Sequence, residues 1–215
     1  MAANPIRMNT VAWALLLVTA AEVAAWAVFR LLQPPAMAVM GVTRLVQIAA
    51  MAWTVTALGG GLQAIGLSHR TALAGFTRGL AWSAGFGAVA GLGMGALYLS
   101  GLNPLMMLRS PLPADPVNLA ALFLVGALIA PVAEEICFRG ILYTYLRRWG
   151  FVPALIGSTA LFAILHSVHG VPVIQITGGI VFAVAYETSR NLIVPITLHI
   201  LGNLALFALS LPFFT

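Results

Sequence analysis

Apolar runs of about 20 residues recur along the chain, and short polar or proline-containing breaks separate them. A helix of about 20 apolar residues is long enough to cross a bilayer. The pattern therefore predicts an all-α, polytopic transmembrane helix bundle. It predicts about seven spans, at residues 11–31, 45–67, 79–100, 118–146, 152–168, 171–188 and 192–212.

Helix-ending and helix-starting residues support these divisions. Pro34 and Pro35 end the first span, because proline cannot continue a helix without losing a backbone hydrogen bond. Asp115 followed by Pro116 is typical of a helix start, with the aspartate as N-cap and the proline in the first turn. Gly150 and Gly170 mark two later breaks.

The composition excludes a soluble protein. Hydrophobic residues make up 61% of the chain, charged residues 7%, and the mean hydropathy is +1.03. A soluble domain has about 25% charged residues. The net charge of +5 lies mostly in short loops, so it indicates membrane topology rather than nucleic-acid binding. Cys137 is the one cysteine, which excludes an internal disulfide.

Arginine distribution predicts the orientation. With the N-terminus inside, the inner segments carry Arg7, Arg70, Arg78, Arg147, Arg148 and Arg190. The outer segments carry Arg30, Arg44 and Arg109. The excess of inner arginine favours a cytoplasmic N-terminus. All ten basic residues are arginine, and with the many alanines and glycines this suggests a bacterial inner or plasma membrane.

The chain is predicted to be a single integral membrane domain over residues 1–215. Residues 1–117 are expected to form scaffold helices, and residues 118–215 carry the chemistry. Small residues at intervals of four predict a packing seam within the monomer, with a dimer interface as the alternative; they are Gly87, Gly91 and Gly95. Glu22, alone in the first span, predicts a structural hydrogen bond, the alternative being a place in the wall of a cavity.

Six polar residues of the second half lie within otherwise apolar spans: Glu134, Glu135, Arg139, His166, His199 and Asn203. A charge at mid-bilayer costs about 2.5 to 3.5 kcal/mol on insertion scales. A chain that keeps such residues at this depth is expected to use them together. An acid, two imidazoles and an amide are the residue types of hydrolysis.

Helical spacing assigns different roles to the two acids. Arg139 follows Glu135 by four residues, the favourable spacing and order for an ion pair. Glu134 points about 100° away on the helix, so it is free to act as a general base or acid. Pro131, one turn earlier, is expected to kink the helix beside Glu134.

The histidines are expected to lie on other walls of the same cavity. Phe162 is one turn before His166 on the same face, and His199 and Asn203 share a face of the last span. The alternative is that each histidine makes a separate hydrogen bond between helices. Two further candidates are weaker: His169 is interpreted as a loop residue, and Cys137 as a packing residue because a buried thiol is usually inert.

These motifs together resemble the CPBP family of intramembrane proteases. The family comprises CAAX-processing endopeptidases and bacteriocin-processing or self-immunity proteins, formerly called Abi. The resemblance covers residues 118–205 and rests on three motifs in the family's order. They are Glu134-Glu135-x-x-x-Arg139, Phe162-x-x-x-His166 and His199-x-x-x-Asn203.

The resemblance implies hydrolysis of peptide bonds inside the membrane. Glu134 and His166 would activate the water, and His199 and Asn203 would hold the oxyanion or position the site. Glu135 and Arg139 would be supporting residues. A divalent metal such as zinc, held by Glu134, His166 and His199, is the preferred expectation. A metal-free glutamate mechanism is the alternative, because no His-Glu-x-x-His helix is present.

The expected partners are the lipid bilayer and a peptide or protein substrate, lipidated or otherwise anchored to the membrane. The sequence does not predict the cleavage site or the oligomeric state.

Two other classes of protein bury similar residues: a small ion-coupled transporter, and a non-catalytic immunity or partner-binding protein. A transporter more often shows repeated halves with broken helices. The complete set of motif residues favours the enzyme.

Overall fold

The computed structural model describes residues 6–166 and 172–211, and these residues form an all-α bundle, as predicted. Apart from short 3₁₀ turns, the described helices are eight. They are α1 (Met8–Leu32), α2 (Ala36–Leu58), α3 (Ala72–Leu99), α4 (Pro104–Leu108), α5 (Pro116–Trp149), α6 (Phe151–His166), α7 (Val173–Ser189) and α8 (Ile193–Leu209).

Seven of these helices correspond to the seven predicted spans. Four helical segments are long and apolar enough to cross a membrane: Met8–Leu32, Ala36–Leu58, Leu62–Leu99 and Pro116–Trp149. The segment Leu62–Leu99 includes α3. The remaining three, α6, α7 and α8, are apolar but contain only 16 or 17 residues each. Two of the three predicted motifs therefore lie on short helices.

The second span begins and ends earlier than residues 45–67. Its helix α2 starts directly after Pro35, which is the N-cap residue, and it ends before Gly59. Gly60 and Gly61 then adopt positive φ angles of 81° and 89°, which turn the chain out of the helix. The polar residues near the start of α2, Arg44 among them, lie within the helix. The assignment of Arg44 to an outer loop was wrong.

Helix α5 lies at the centre of the bundle. It contacts α1, α2, α6, α7 and α8, while α1 packs on α2, α3 on α8 and α6 on α7. The main hydrophobic core joins Met51 of α2 with Ala133 and Ile136 of α5 and with Ile196 of α8. The core therefore brings every helix that carries a predicted motif against α5.

The glycines that pack closely in α3 are not those predicted. A Cβ atom added at Gly75 or Gly79 would lie only 2.6 Å from the side chain of Asn191 or Thr197. Around the three predicted seam positions, no described atom lies within 4 Å of an added Cβ; they are Gly87, Gly91 and Gly95. The predicted seam within the monomer is therefore wrong, and the close contact lies in the first two turns of α3.

An ionic cluster joins the C-terminal ends of α5 and α7. The Glu187 carboxylate accepts hydrogen bonds from Tyr143 Oη at 2.7 Å, Arg147 Nη2 at 2.7 Å and Arg190 Nη2 at 2.6 Å. Three donors around one carboxylate fix the separation and rotation of the two helices at this end. The ionic cluster therefore fixes the position of the α7 face that packs against the predicted site.

Candidate active site

Helix α5 departs from regular α-helical geometry on both sides of the two acids. Ala130–Glu135 is α-helical, whereas Phe123–Ile129 and Ile136–Tyr143 are π-helical. Pro131 lies in the first turn of the α-helical segment, and its missing N–H removes one backbone hydrogen bond. π-Helical turns are rare and frequently occur at functional sites. The irregularity expected beside Glu134 is therefore present.

Glu134 faces both predicted histidines. Its Oε2 atom lies 3.6 Å from His166 Nε2 and 3.7 Å from His199 Nε2. These distances exceed that of a direct hydrogen bond by less than 1 Å. The structure thus brings these three predicted residues, from α5, α6 and α8, together at one carboxylate oxygen.

The second ring nitrogen of each histidine has its own partner. His166 Nδ1 lies 2.7 Å from the backbone carbonyl of Phe162, which can only accept, so Nδ1 carries the proton. His199 Nδ1 lies 2.8 Å from Glu135 Oε1 and likewise donates to the ionised carboxylate. In a neutral ring the Nε2 lone pair then faces Glu134, and in a protonated ring the Nε2–H does.

Glu135 makes the predicted pair with Arg139 and one further contact. Arg139 Nη1 donates to Glu135 Oε1 at 2.8 Å, and both side chains have no exposed surface. The same Oε1 accepts from His199 Nδ1, which the sequence reasoning missed because the contact joins residues 64 positions apart. The two adjacent acids therefore contact opposite nitrogens of one imidazole.

Aromatic rings enclose the histidines and the buried guanidinium. Phe162 packs against His166 with a centroid distance of 4.4 Å, as the sequence predicted. Phe182 of α7 stacks on His199 at 4.5 Å, with 25° between the ring planes. The Arg139 guanidinium carbon lies 4.8 Å from the Phe162 centroid and 5.2 Å from that of Phe182. These contacts restrict the side chains and support the charged group.

Asn203 lies one turn beyond His199, and one N–H of its side-chain amide is hydrogen-bonded. Its Nδ2 atom donates to the backbone carbonyl of Gly126 at 3.0 Å. Gly126 belongs to the first π-helical segment of α5. The side chain thus connects α8 to the irregular part of α5, and the second N–H of the amide remains for another acceptor.

A second polar cluster at membrane depth joins α1 and α2. Arg44 Nη1 donates to Glu22 Oε1 at 2.6 Å and to Gln47 Oε1 at 2.6 Å. Gln47 Nε2 in turn donates to Glu22 Oε1 at 2.9 Å. The predicted hydrogen bond of Glu22 is confirmed. The sequence analysis did not predict Arg44 as the partner of Glu22, because it assigned Arg44 to a loop. The position of Arg44 in an apolar run could have indicated that it lies within a helix.

The structure describes only one of the two weaker candidates. Cys137 is partly buried and packs against the hydrophobic core. His169 lies outside the described residues. Within residues 6–166 and 172–211, no group of three or more His, Cys, Asp or Glu side chains is arranged to hold a metal ion.

Comparison with known proteins finds a match for the part of the chain that carries these motifs. Residues 116–205 match the family model described as type II CAAX prenyl endopeptidase Rce1-like. The matched segment is less than half of the chain, and it contains all three motifs. This similarity supports a CAAX-type intramembrane protease at the level of the family. No curated protein and no solved structure shows significant similarity to the chain.

Proposed function

We propose that the protein is an intramembrane endopeptidase that hydrolyses a peptide bond of a membrane-associated peptide or protein. The observation that carries the proposal is the Glu134 carboxylate oxygen facing the Nε2 atoms of His166 and His199. A carboxylate beside two imidazoles is suited to proton transfer. The match of residues 116–205 to the Rce1-like family model supports the same reaction class.

Charge balance suggests different protonation states for the two histidines. The described site contains two carboxylates, Glu134 and Glu135, and one guanidinium, Arg139. One uncompensated negative charge at membrane depth is costly. A protonated His199, bound through Nδ1 to Glu135, removes that charge. His166, whose Nδ1 is bound to a neutral carbonyl, then stays neutral with a lone pair on Nε2.

In the proposed mechanism, Glu134 and His166 orient and activate a water molecule. The water donates one hydrogen bond to Glu134 Oε2 and one to His166 Nε2, which directs an oxygen lone pair towards the substrate carbonyl carbon. Glu134 accepts one proton as general base while the new C–O bond forms. It then passes that proton to the leaving amine as the C–N bond breaks.

His199 and Asn203 are proposed to stabilise the oxyanion of the tetrahedral intermediate. A protonated His199 donates from Nε2, and Asn203 donates its second amide N–H, the first being bound to Gly126. Loss of a single oxyanion donor typically lowers kcat by about 10²- to 10³-fold. Glu135 and Arg139 are positioning residues in this scheme, because they contact His199 and not the reacting atoms.

Cleavage by purified protein tests the proposal. The probe is a peptide with a prenylated cysteine followed by three residues, presented in nanodiscs to the wild type and to Glu134→Gln. Loss of the general base is expected to slow cleavage by about 10²- to 10⁴-fold. Equal cleavage by both proteins would show that Glu134 is not the base. If the wild type cleaves neither this peptide nor other membrane peptides, the proposal that the protein is an endopeptidase is contradicted.

Binding of a divalent metal such as zinc stays a prediction. The mechanism above uses side chains alone, and Glu134, His166 and His199 are the residues that would hold a metal. Exhaustive chelation with metal analysis tests it: lost activity that returns with zinc supports a metal at Glu134, His166 and His199. Full activity of metal-free protein supports the glutamate and water mechanism. In both cases activity is expected to fall as the pH drops through the histidine range, because His166 must be neutral.

A further inference from the structure

Arg44 lies on the face of α2 that packs against the catalytic helix α5. One turn earlier, a Cβ atom added at Gly41 would lie 3.1 Å from Val125 of α5, so the helices are very close there. One and two turns later, Ile48 and Met51 pack into the core that contains Ala133. Residues at these intervals share one side of a helix. Arg44 is therefore placed towards α5 and away from the lipid-facing side of α2.

The known contacts of Arg44 use only one of its terminal nitrogens. Nη1 bonds to Glu22 and Gln47, each at 2.6 Å. Nε is buried without a hydrogen-bond partner, and no described residue accepts from Nη2. Nε and Nη2 form the side-on edge of a guanidinium, whose two parallel N–H groups match the two oxygens of a carboxylate. This edge is left without a partner in the described part of the chain.

A purely structural role for Arg44 would not need this free edge. The Nη1 hydrogen bonds alone would hold α1 against α2. A lysine would supply a similar point charge for these contacts. Leaving a buried N–H without an acceptor costs about 1 to 3 kcal/mol. Arg44 is turned towards α5, the helix that carries Glu134. It lies outside residues 116–205, which match the Rce1-like family model, in the part of the chain expected to form scaffold helices.

We propose that Arg44 is a specificity residue that binds a carboxylate of the substrate peptide through its Nε and Nη2 atoms, on the side of α2 that packs against the helix carrying Glu134. The proposal rests on the proposed function, since it assigns a binding group to that same site. Glu22 and Gln47 hold the guanidinium from the opposite side. The carboxylate has two possible sources, the C-terminus of the peptide or an acidic side chain close to the scissile bond.

Peptide binding tests the proposal without relying on cleavage. Three fluorescent prenylated peptides, alike in sequence otherwise, end in a free carboxylate, in a C-terminal amide, or in an aspartate with an amidated C-terminus. Their Kd values are measured on full-length protein carrying Glu134→Gln in nanodiscs. Replacing the carboxylate by an amide is expected to weaken binding about 10- to 100-fold, as for hydrogen bonds to charged groups. Tighter binding of the aspartate peptide would identify an acidic side chain as the source.

Three further variants separate recognition from structure. Arg44→Gln in the same background should abolish the preference for a carboxylate, and Arg44→Lys should reduce it while retaining a charge for Glu22. Arg78→Gln, at an exposed arginine of α3, is the matched control and should leave the preference unchanged. Melting temperatures of all three show whether the fold survives.

The outcomes distinguish this inference from the proposed function. A carboxylate preference that Arg44→Lys weakens supports the inference, even if the wild type cleaves no peptide and the proposed function fails. Absence of any carboxylate preference, or one that survives in both Arg44 variants, overturns the inference. Cleavage of the carboxylate and amide peptides at equal kcat/KM by the wild type would also overturn it, while leaving the protease assignment intact.

Discussion

Glu134, His166 and His199 come from three helices and converge on one space. The two histidines differ in what holds them. His166 is the last residue of α6, and its side chain is one-third exposed. His199 is nearly buried and lies between Phe182, Phe162 and Glu135. The same substitution at the two positions should therefore act differently on stability.

His166→Ala and His199→Ala are both expected to lower kcat, by about 10²-fold or more, because each removes a group that is proposed to contact the water or the oxyanion. His166→Ala should leave the melting temperature nearly unchanged. His199→Ala should lower it, since it leaves a cavity and removes a partner of buried Glu135. Turnover of the prenylated peptide and thermal unfolding in detergent measure both effects. Near wild-type kcat in both variants would contradict the assignment of the site.

Glu135 and Arg139 should behave as one structural unit. Removing one partner of a buried pair costs about 3 to 5 kcal/mol, because the other charge is stranded. Glu135→Ala and Arg139→Ala should each lower the melting temperature, and the double variant should lose less stability than the two single losses combined. Glu134→Gln, at the neighbouring acid, is the matched control and should melt close to the wild type.

The additional contact of Glu135 with His199 extends this prediction. Folded Glu135→Gln should retain the ring contact but lose the negative charge, so kcat should fall and the pH profile should shift, while KM changes little. A folded Glu135→Ala variant with full stability and no activity, additive with Arg139→Ala, would mean that the two glutamates exchange roles.

At the scale of elements, the contact between α3 and α8 depends on Gly79, which hydropathy does not distinguish from its neighbours. An added methyl group at Gly79 would meet Thr197 at 2.6 Å, whereas one at Gly91 would meet no described atom within 4 Å. α8 carries His199 and Asn203, so this contact also sets the distance of those residues from α5.

Gly79→Ala is expected to destabilise the protein by about 1 to 3 kcal/mol, because overpacking forces the two helices apart. Gly91→Ala is the matched control on the same helix. It should be neutral or slightly stabilising, since alanine favours helix over glycine by about 1 kcal/mol. Thermal unfolding of both variants in the same detergent measures the difference. Equal melting temperatures would show that α3 does not pack on α8 as described.

The whole molecule is predicted to place its N-terminal segment and the loop after α3 on opposite sides of the membrane. The arginine count favours a cytoplasmic N-terminus. With α1, α2 and α3 each crossing once, Arg7 lies inside and Ser100 outside; both residues are exposed. Arg44 lies within α2, so it does not count as an arginine of an outer loop.

Single cysteines at these two positions, in a Cys137→Ala background, provide the test. A membrane-impermeant maleimide applied to intact cells should label Ser100→Cys and not Arg7→Cys. Inverted vesicles should show the reverse pattern. Labelling of Arg7→Cys in intact cells would reverse the predicted orientation, and labelling of both variants would contradict the crossing of α1 to α3.

The sequence by itself determined the membrane class, the helical architecture and the pair of Glu135 with Arg139. These depend on composition and on contacts within four residues, which the geometry of a single helix dictates. It also predicted which residues form the candidate site, because polar groups in apolar spans are costly. Tertiary structure alone decided the contacts between helices. They include His199 with Glu135, Phe182 on His199, Asn203 with Gly126, and Arg44 on the face of α2 towards the site. Such contacts depend on how helices rotate and approach one another, and hydropathy along a chain contains almost no information on rotation when nearly every face is apolar.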